Sequence, residues 1–197
     1  MTEADLRDKI ILESSDNSFH CFGYSYLFDK RAQRFRKRVK LLQVFGIAIP
    51  ATVGATAVGY GYDNSILKYA LILSAPLLVI QFTVSIIAII YEWDTELAYS
   101  YEASQDYNNI YDRFKKLYKL PPVSYTELDK QFEIINTEYG SRSRQDAKHG
   151  IKEWELRMGM RYSLREHQKP CATCGKIPTD MEPTECGVCG KFKKQKT

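Results

Sequence analysis

The sequence lacks the short motifs that mark common catalytic centres. Its 197 residues contain no G-x-S-x-G nucleophile turn, no glycine-rich phosphate loop and no H-E-x-x-H metalloprotease motif. The chain has only three histidines (His20, His149 and His167), and none of them is spaced to act with a nucleophile. The sequence therefore predicts a protein that is not an enzyme.

The sequence also has little excess of charge of either sign. Its 28 basic and 24 acidic side chains leave a net charge of +4, which is too small to predict a nucleic-acid partner by itself. The basic residues are nevertheless clustered before the first apolar run and at the C-terminus (Lys30, Arg31, Arg34, Arg36, Lys37, Arg38 and Lys40; Lys191, Lys193, Lys194 and Lys196). Both clusters can meet anionic lipid or phosphate, although a topology signal and a solvated tail are the simpler interpretation.

Two long apolar runs, residues 41–62 and 69–91, lack charged side chains altogether. Crossing a hydrocarbon core of ~30 Å takes about 20 helical residues, so both runs predict transmembrane helices with these bounds. Aromatic residues would mark the two membrane interfaces (Tyr60, Tyr62 and Tyr69 at one; Tyr91 and Trp93 at the other). Because neither run contains an ionisable Asp, Glu, Lys, Arg or His, an ion-coupled transporter is disfavoured.

The basic residues also predict the orientation of this hairpin. The connector 63–68 contains a single lysine, whereas the basic cluster before residue 41 contains seven basic residues. Positively charged flanks stay in the cytoplasm. The sequence therefore predicts that both termini are cytoplasmic, with residues 1–40 as a cytosolic segment that carries the basic flank.

Small side chains recur along the first predicted span at every fourth residue (Ala51, Ala55 and Gly59; Gly46, Pro50 and Gly54). Such residues let another helix approach closely. The partner is either the second span of the same chain or the same face of a neighbouring subunit in a homo-oligomer. Gln81, in the middle of the second span, needs a hydrogen-bond partner, either within the hairpin or along a polar path in an oligomer.

Residues 93–166 have the pattern of a cytosolic helical region. No helix breaker follows Trp93 until Pro121, so the second span is predicted to continue as an amphipathic helix. Ser124 and Glu127 match a capping box, and Gly140 with the polar stretch SRSRQD is predicted to end the short helix that follows. The three predicted apolar faces comprise Tyr107, Ile110, Phe114 and Leu117; Leu128, Phe132 and Ile135; and Ala147, Ile151, Trp154, Met158 and Tyr162.

The C-terminal residues 167–197 contain two C-x2-C pairs separated by eleven residues (Cys171 and Cys174; Cys186 and Cys189). Four thiolates at this spacing are typical of a tetrahedral Zn²⁺ site, and four protein ligands leave no open position, so the zinc is predicted to be structural. Gly175, Gly187 and Gly190 are expected to permit the tight turns. Disulfides are disfavoured because the predicted cytosolic side is reducing.

These features predict an all-α membrane protein. It consists of a two-helix transmembrane hairpin, a cytosolic helical bundle and a small C-terminal zinc ribbon. The charged helix, short connector and helical tail of residues 25–165 resemble the SLATT group of two-transmembrane effector domains. That resemblance implies membrane disruption or pore formation during bacterial phage defence, triggered by a cytosolic sensor protein.

The cysteine spacing is similar to that of a bacterial mobile-element protein family with a C-x2-C-x11-C-x2-C motif. The resemblance implies a horizontally carried bacterial gene and hence a multi-pass protein of the inner (cytoplasmic) membrane. Two functional hypotheses follow. The protein is either a membrane effector or a membrane-tethered zinc ribbon that binds a protein or nucleic acid, in which case Phe192 among the C-terminal lysines would stack on bases.

Overall fold

The structure is a computed structural model, and it describes residues 2–60 and 65–193. Five α-helices and a short 3-10 turn, Ala147–His149, occur in these residues, and no strand does, which confirms the all-α prediction for the described part of the chain. The helices are α1 (Glu3–Tyr60), α2 (Ser65–Ile90), α3 (Trp93–Lys119), α4 (Tyr125–Asp146) and α5 (Glu153–Glu166). Several parts of the predictions above lie outside the described residues, namely Tyr62, the first two residues of the connector 63–68, Lys194 and Lys196.

The first helix is much longer than the sequence predicted. It joins the charged N-terminal segment and the first apolar run in 58 residues, and it continues through Pro50. No glycine or proline interrupts residues 24–45, and helix propagation is favourable once a helix has formed. The predicted boundary at residue 40 is therefore a change in composition within one helix.

The chain divides into two compact units. One contains Met1–Lys30 together with Ser100–Thr197, and the other contains Arg31–Tyr99. In the first unit, the N-terminal part of α1 is a core element, because Phe19, Leu27 and Phe28 are buried. From the sequence, this segment was predicted only as a cytosolic segment with a basic flank, without a role in a core. The apolar faces predicted for α3 and α4 are confirmed by burial (Tyr107, Ile110, Phe114, Leu117, Leu128, Phe132 and Ile135). Of the third predicted face, Met158 is buried, Ile151, Trp154 and Tyr162 are half-buried, and Ala147 is exposed and precedes the helix, so this face is confirmed only at Met158.

Helices α1 and α5 cross at two glycines. A Cβ placed on Gly159 would lie 2.6 Å from the carbonyl oxygen of Gly23, and one on Gly23 would lie 2.9 Å from the carbonyl oxygen of Gly159. Near this crossing, the Ser163 hydroxyl donates a hydrogen bond of 2.9 Å to the Phe19 carbonyl. The two backbones are so close that only glycine fits at either position.

Helix α4 continues through Gly140 and the polar stretch that was predicted to end it. Arg142 and Asp146 are both buried, and the Arg142 Nη1 atom lies 2.9 Å from Asp106 Oδ2 on α3. The Tyr107 hydroxyl donates a hydrogen bond to the Asp146 carboxylate. These contacts with α3 stabilise the last turns of α4, so tertiary structure overrides the local signal.

The helix boundaries near α4 also correct two local predictions. Ser124 occupies the N-cap position of α4, but its side chain makes no capping hydrogen bond, so the predicted capping box is wrong. The next α-helix begins at Glu153 rather than near Ala147, because the chain turns at Gly150, whose φ is +54°. Glycine is favoured there because other residues rarely adopt this left-handed conformation.

The buried Tyr107 hydroxyl predicts a loss of stability at alkaline pH. Burial, followed by the hydrogen bond to Asp146, raises the pKa of Tyr107 well above its usual value of about 10. Its contribution to stability is complete below the unfolded pKa and is lost as the pH rises above that value, where only the unfolded chain ionises readily. Above pH ~10, we expect the free energy of unfolding to fall less steeply in Tyr107→Phe than in the wild type, by about 1.4 kcal/mol per pH unit. Unfolding curves at increasing pH measure it, and an unchanged slope would contradict the assignment.

In the second unit, Gln81 connects the two apolar helices. Its Nε2 atom donates a hydrogen bond of 3.1 Å to the Leu42 carbonyl on α1, which is the first of the two alternatives considered for this amide. Gly46 provides the space, because a Cβ there would lie 3.3 Å from Gln81 Nε2. The polar side chain is thus satisfied within the hairpin.

Helices α2 and α3 are separate, so the predicted continuous helix is wrong. The chain turns at Tyr91 and Glu92, and Glu92 has a φ of +47°. After the turn, Glu96 pairs with Arg31 of α1 at 2.7 Å. This partly buried ion pair attaches the first turn of α3 to α1.

Both apolar helices are long and apolar enough to span a membrane, α1 within Glu3–Gly59 and α2 over Leu71–Ile90. Their large side chains are mostly exposed: Ile47 is 73 % exposed, Val58 87 % and Ile89 75 %. A core helix of a globular protein would bury such residues. The length, composition and exposure of these two segments are therefore all consistent with membrane spans.

Candidate metal centre

The four cysteines of the two C-x2-C pairs converge on one point. Their Sγ atoms all lie within 4.8 Å of one another. The Sγ atoms of Cys171 and Cys186 are 3.9 Å apart, and those of Cys174 and Cys189 are 3.8 Å apart. Four thiolates at about 2.3 Å from a tetrahedral ion are separated by roughly 3.8 Å, so these residues fit a single metal ion.

Each cysteine pair is closed by a similar backbone turn. The Gly175 N–H donates to the Cys171 carbonyl at 2.8 Å, and the Gly190 N–H donates to the Cys186 carbonyl at 3.0 Å. Gly175 has a φ of +67°, and a Cβ on Gly190 would overlap the Thr184 carbonyl oxygen. Two of the three predicted glycine requirements thus have a structural reason.

Two predictions for the cysteine tail are not confirmed: a turn that requires Gly187, and a zinc ribbon. Gly187 has open space around its Cα, so its predicted role in the turns is not confirmed. The described residues after α5, up to residue 193, form turns and irregular segments without a strand. The cysteine cluster is present, but the predicted ribbon is not confirmed.

The backbone around the second pair favours a thiolate at Cys186. The N–H groups of Cys189 and Val188 donate hydrogen bonds to the Cys186 sulfur and lower its pKa to about 6. Burial acts in the opposite direction at Cys189, whose pKa is raised. A bound cation favours the deprotonated form of all its thiol ligands, so it would offset the cost of ionising the buried Cys189.

The cysteine cluster packs directly on the helices of the first unit. Cys171 and Cys189 are buried in one apolar cluster with Phe19 of α1 and Leu164 of α5. A segment with few apolar residues of its own thus acquires a core from its ligands and from two helices. The cysteine tail is part of the helical unit rather than an appendage to it.

Arg161 of α5 fixes the loop between the two cysteine pairs. Its Nε atom donates to the Asp180 carbonyl at 2.9 Å, and its Nη2 atom lies 2.9 Å from Asp180 Oδ1. Its Nη1 atom donates to the Cys189 carbonyl at 3.4 Å. Arg161 was not among the residues predicted from the sequence. Its position three residues after the buried Met158, on the apolar face of α5, was the available signal.

Other candidate side chains lie outside the sulfur cluster. His167 Nδ1 is 3.0 Å from the Ser163 carbonyl oxygen, and burial lowers the pKa of this histidine. Cys21 is completely buried on α1, where burial raises the pKa of its thiol. Phe192 is also buried, so its ring is not available to stack on a base as the sequence suggested.

Comparison with known proteins agrees with the sulfur geometry. No curated protein and no solved structure matched the chain. A family model described as "Mobilome CxxCx(11)CxxC protein" matches residues 12–192, which include most of α1 as well as all four cysteines. The predicted mobile-element resemblance is therefore confirmed. The chain belongs to the Mobilome CxxCx(11)CxxC protein family.

Proposed function

We propose that this mobile-element protein is a membrane effector of the bacterial inner membrane. The apolar part of α1, from residue 41 onward, and helix α2 span the bilayer and self-associate, and the resulting oligomer perturbs the membrane. The metal-containing helical unit lies in the cytoplasm with both termini and receives the triggering signal from a sensor protein. Phage defence of the host cell is the proposed context, as the SLATT resemblance implies.

The proposed metal is structural Zn²⁺. Four thiolates around one point are the ligand set that zinc prefers, and they occupy every tetrahedral position. Residues Cys171, Cys174, Cys186 and Cys189 would hold the ion. Zinc there would fix the tail on α1 and α5 and would supply no chemistry to a substrate.

The exposed small-residue face of α1 is the observation that carries the proposal. Ala51, Gly54, Ala55 and Gly59 are exposed, and a Cβ on Gly54 or Gly59 would meet nothing within 4 Å. Gly46, nearer the N-terminus, meets α2 through Gln81. Among the described residues, the part of this face around Gly54 and Gly59 therefore stays open. In a membrane, small residues of this kind are typical of contacts between helices of neighbouring subunits.

Ala55→Leu is expected to weaken this association. The larger side chain separates helices that approach through small residues, and close packing is the main source of their affinity in lipid. Cross-linking in membranes should show the loss of oligomers in the variant. Val79→Leu, which changes an exposed apolar residue of α2, is the matched control and should retain the oligomers. Equal cross-linking of both variants would exclude the small-residue face as the contact.

A voltage-sensitive dye tests the effector function directly. We expect induced expression of the wild-type chain in phage-infected bacteria to depolarise the inner membrane, and Ala55→Leu to reduce this depolarisation. Val79→Leu should behave as the wild type. An unchanged potential in infected cells that contain the protein would contradict the proposal.

For the nucleic-acid alternative, the buried Phe192 ring does not support base stacking. Lys191 lies 4.0 Å from the Glu185 carboxylate, but both side chains are exposed, so the lysine can still contact phosphate. A gel-shift assay with the full chain and with Cys171→Ser tests the alternative. Metal-dependent binding of DNA or RNA would favour the tethered module over the effector.

A further inference from the structure

A groove of about 280 Å³ lies between α1 and α2 within the second unit. Its walls are almost entirely apolar and include Leu41, Leu42, Phe45, Leu77, Ile80 and Val84. Cavities that hold a whole small molecule usually measure about 300–1,000 Å³. This groove therefore suits one flexible apolar chain that extends beyond it more than an enclosed ligand.

Arg38 and Trp93 form one end of the groove. The Arg38 guanidinium carbon lies 5.5 Å from the centre of the Trp93 ring and 5.7 Å from that of Phe35. Arg38 is exposed, and it forms no ion pair with a carboxylate among residues 2–60 and 65–193. A guanidinium that lies over aromatic rings keeps its N–H edge available for a phosphate.

The nearby Arg31 differs from Arg38 because it has a structural role in this unit. It is buried and pairs with Glu96 at 2.7 Å. Arg38 instead combines an exposed guanidinium with an apolar groove directly beside it. Positive charge next to an apolar channel is complementary to a molecule that has a negative headgroup and a hydrocarbon tail.

We propose that this groove binds one anionic phospholipid, with its phosphate at Arg38 and an acyl chain along α1 and α2. This inference rests on the proposed membrane location. The first charged residues before an apolar run lie at the headgroup level, which is where Arg38 would be, only three residues before Leu41. A second copy of the chain is the alternative occupant of the apolar walls.

Quenching of Trp93 fluorescence by brominated lipids tests the site. The full chain with Trp154→Phe keeps Trp93 as its only tryptophan. It is reconstituted into phosphatidylcholine vesicles that contain a minor fraction of brominated lipid. The brominated lipid is phosphatidylglycerol in one sample and phosphatidylcholine in the other. Measurements in 1 M salt, where the screening length is about 3 Å, suppress attraction that does not involve contact. We expect an apparent affinity about fivefold higher for the anionic lipid, which is the upper range of what one exposed ion pair in direct contact provides.

Two variants in the Trp154→Phe background separate contact from general surface charge. Arg38→Gln should remove the preference, and Arg38→Lys should restore part of it. Lys37→Gln removes an equal charge from an exposed neighbour outside the groove and should keep the preference. Equal losses in Arg38→Gln and Lys37→Gln would overturn the site.

The remaining outcomes distinguish failure of the lipid site from failure of the proposed membrane location. Equal quenching by both brominated lipids means that the chain is in the membrane but has no anionic-lipid site. Absence of quenching in a chain that resists alkaline extraction from vesicles means that protein, such as a second copy, covers the groove. A chain that alkaline treatment extracts completely overturns both the lipid site and the membrane location.

Discussion

Cys171→Ser is expected to reduce the zinc content of the purified protein from about one ion per chain to a trace. The remaining three thiolates leave one tetrahedral position without its ligand. Cys171 also lies in the apolar cluster with Phe19 and Leu164, so loss of the ion removes a core contact as well as a cross-link. We expect the free energy of unfolding of the helical unit to fall by more than about 4 kcal/mol, since binding of a structural metal is coupled to folding.

Metal analysis of the intact chain and its thermal unfolding in detergent measure these effects. Cys21→Ser is the matched control, because it replaces a buried cysteine that lies outside the sulfur cluster. It should retain the full zinc content. A Cys171→Ser protein with normal zinc content, or a Cys21→Ser protein without zinc, would show that the ligands are assigned wrongly.

Gly159→Ala is expected to have a comparable effect on stability through packing alone. Its new Cβ would lie 2.6 Å from the Gly23 carbonyl oxygen, which belongs to a helix backbone and cannot rotate away. Overpacking a well-packed contact costs about 3 kcal/mol at the upper end. Cys21, two residues from Gly23 and completely buried, is a convenient probe of local opening. Its alkylation rate should rise roughly a hundredfold, because 1.4 kcal/mol corresponds to about a factor of ten.

Gly140→Ala provides the opposite result within the same unit. Gly140 lies inside α4, and a Cβ there would meet nothing within 4 Å. Alanine is favoured over glycine in a helix by about 0.8–1.0 kcal/mol, so this variant should slow the alkylation of Cys21 or leave it unchanged. If Gly159→Ala behaved like Gly140→Ala, the close crossing of α1 and α5 would be incorrect.

The features that depend on local pattern could be predicted from the sequence. The cysteine cluster follows from four ligands whose spacing and chemistry are fixed within the tail itself. The buried faces of α3 and α4, such as Tyr107, Phe114 and Phe132, follow from helical periodicity. In each case the signal lies within a few turns of the residue that it describes.

The features that depend on distant partners could not be predicted. Gly140 is a local helix-ending signal, yet α4 continues because Arg142 pairs with Asp106 of another helix. The turn at Glu92 has no glycine or proline to announce it, and it is accompanied by the ion pair between Arg31 and Glu96. Sequence periodicity contains no information about such pairings.

The position of the cysteine tail was the largest omission. Its sequence resembles an independent zinc module, because it contains its own ligands and turn glycines. The contacts that attach it to the helices come from Phe19 and Arg161, which are far from the motif along the chain. The match of the family to residues 12–192 is consistent with one unit that contains both parts.

Hydrogen exchange of the full chain with and without a strong metal chelator tests the central claim, that the metal centre is part of the core of the helical unit. The structure predicts that removal of the ion accelerates exchange in α5 and in the part of α1 around Phe19, as well as in the cysteine tail. Faster exchange confined to residues 167–193, with α1 and α5 unchanged, would contradict the claim.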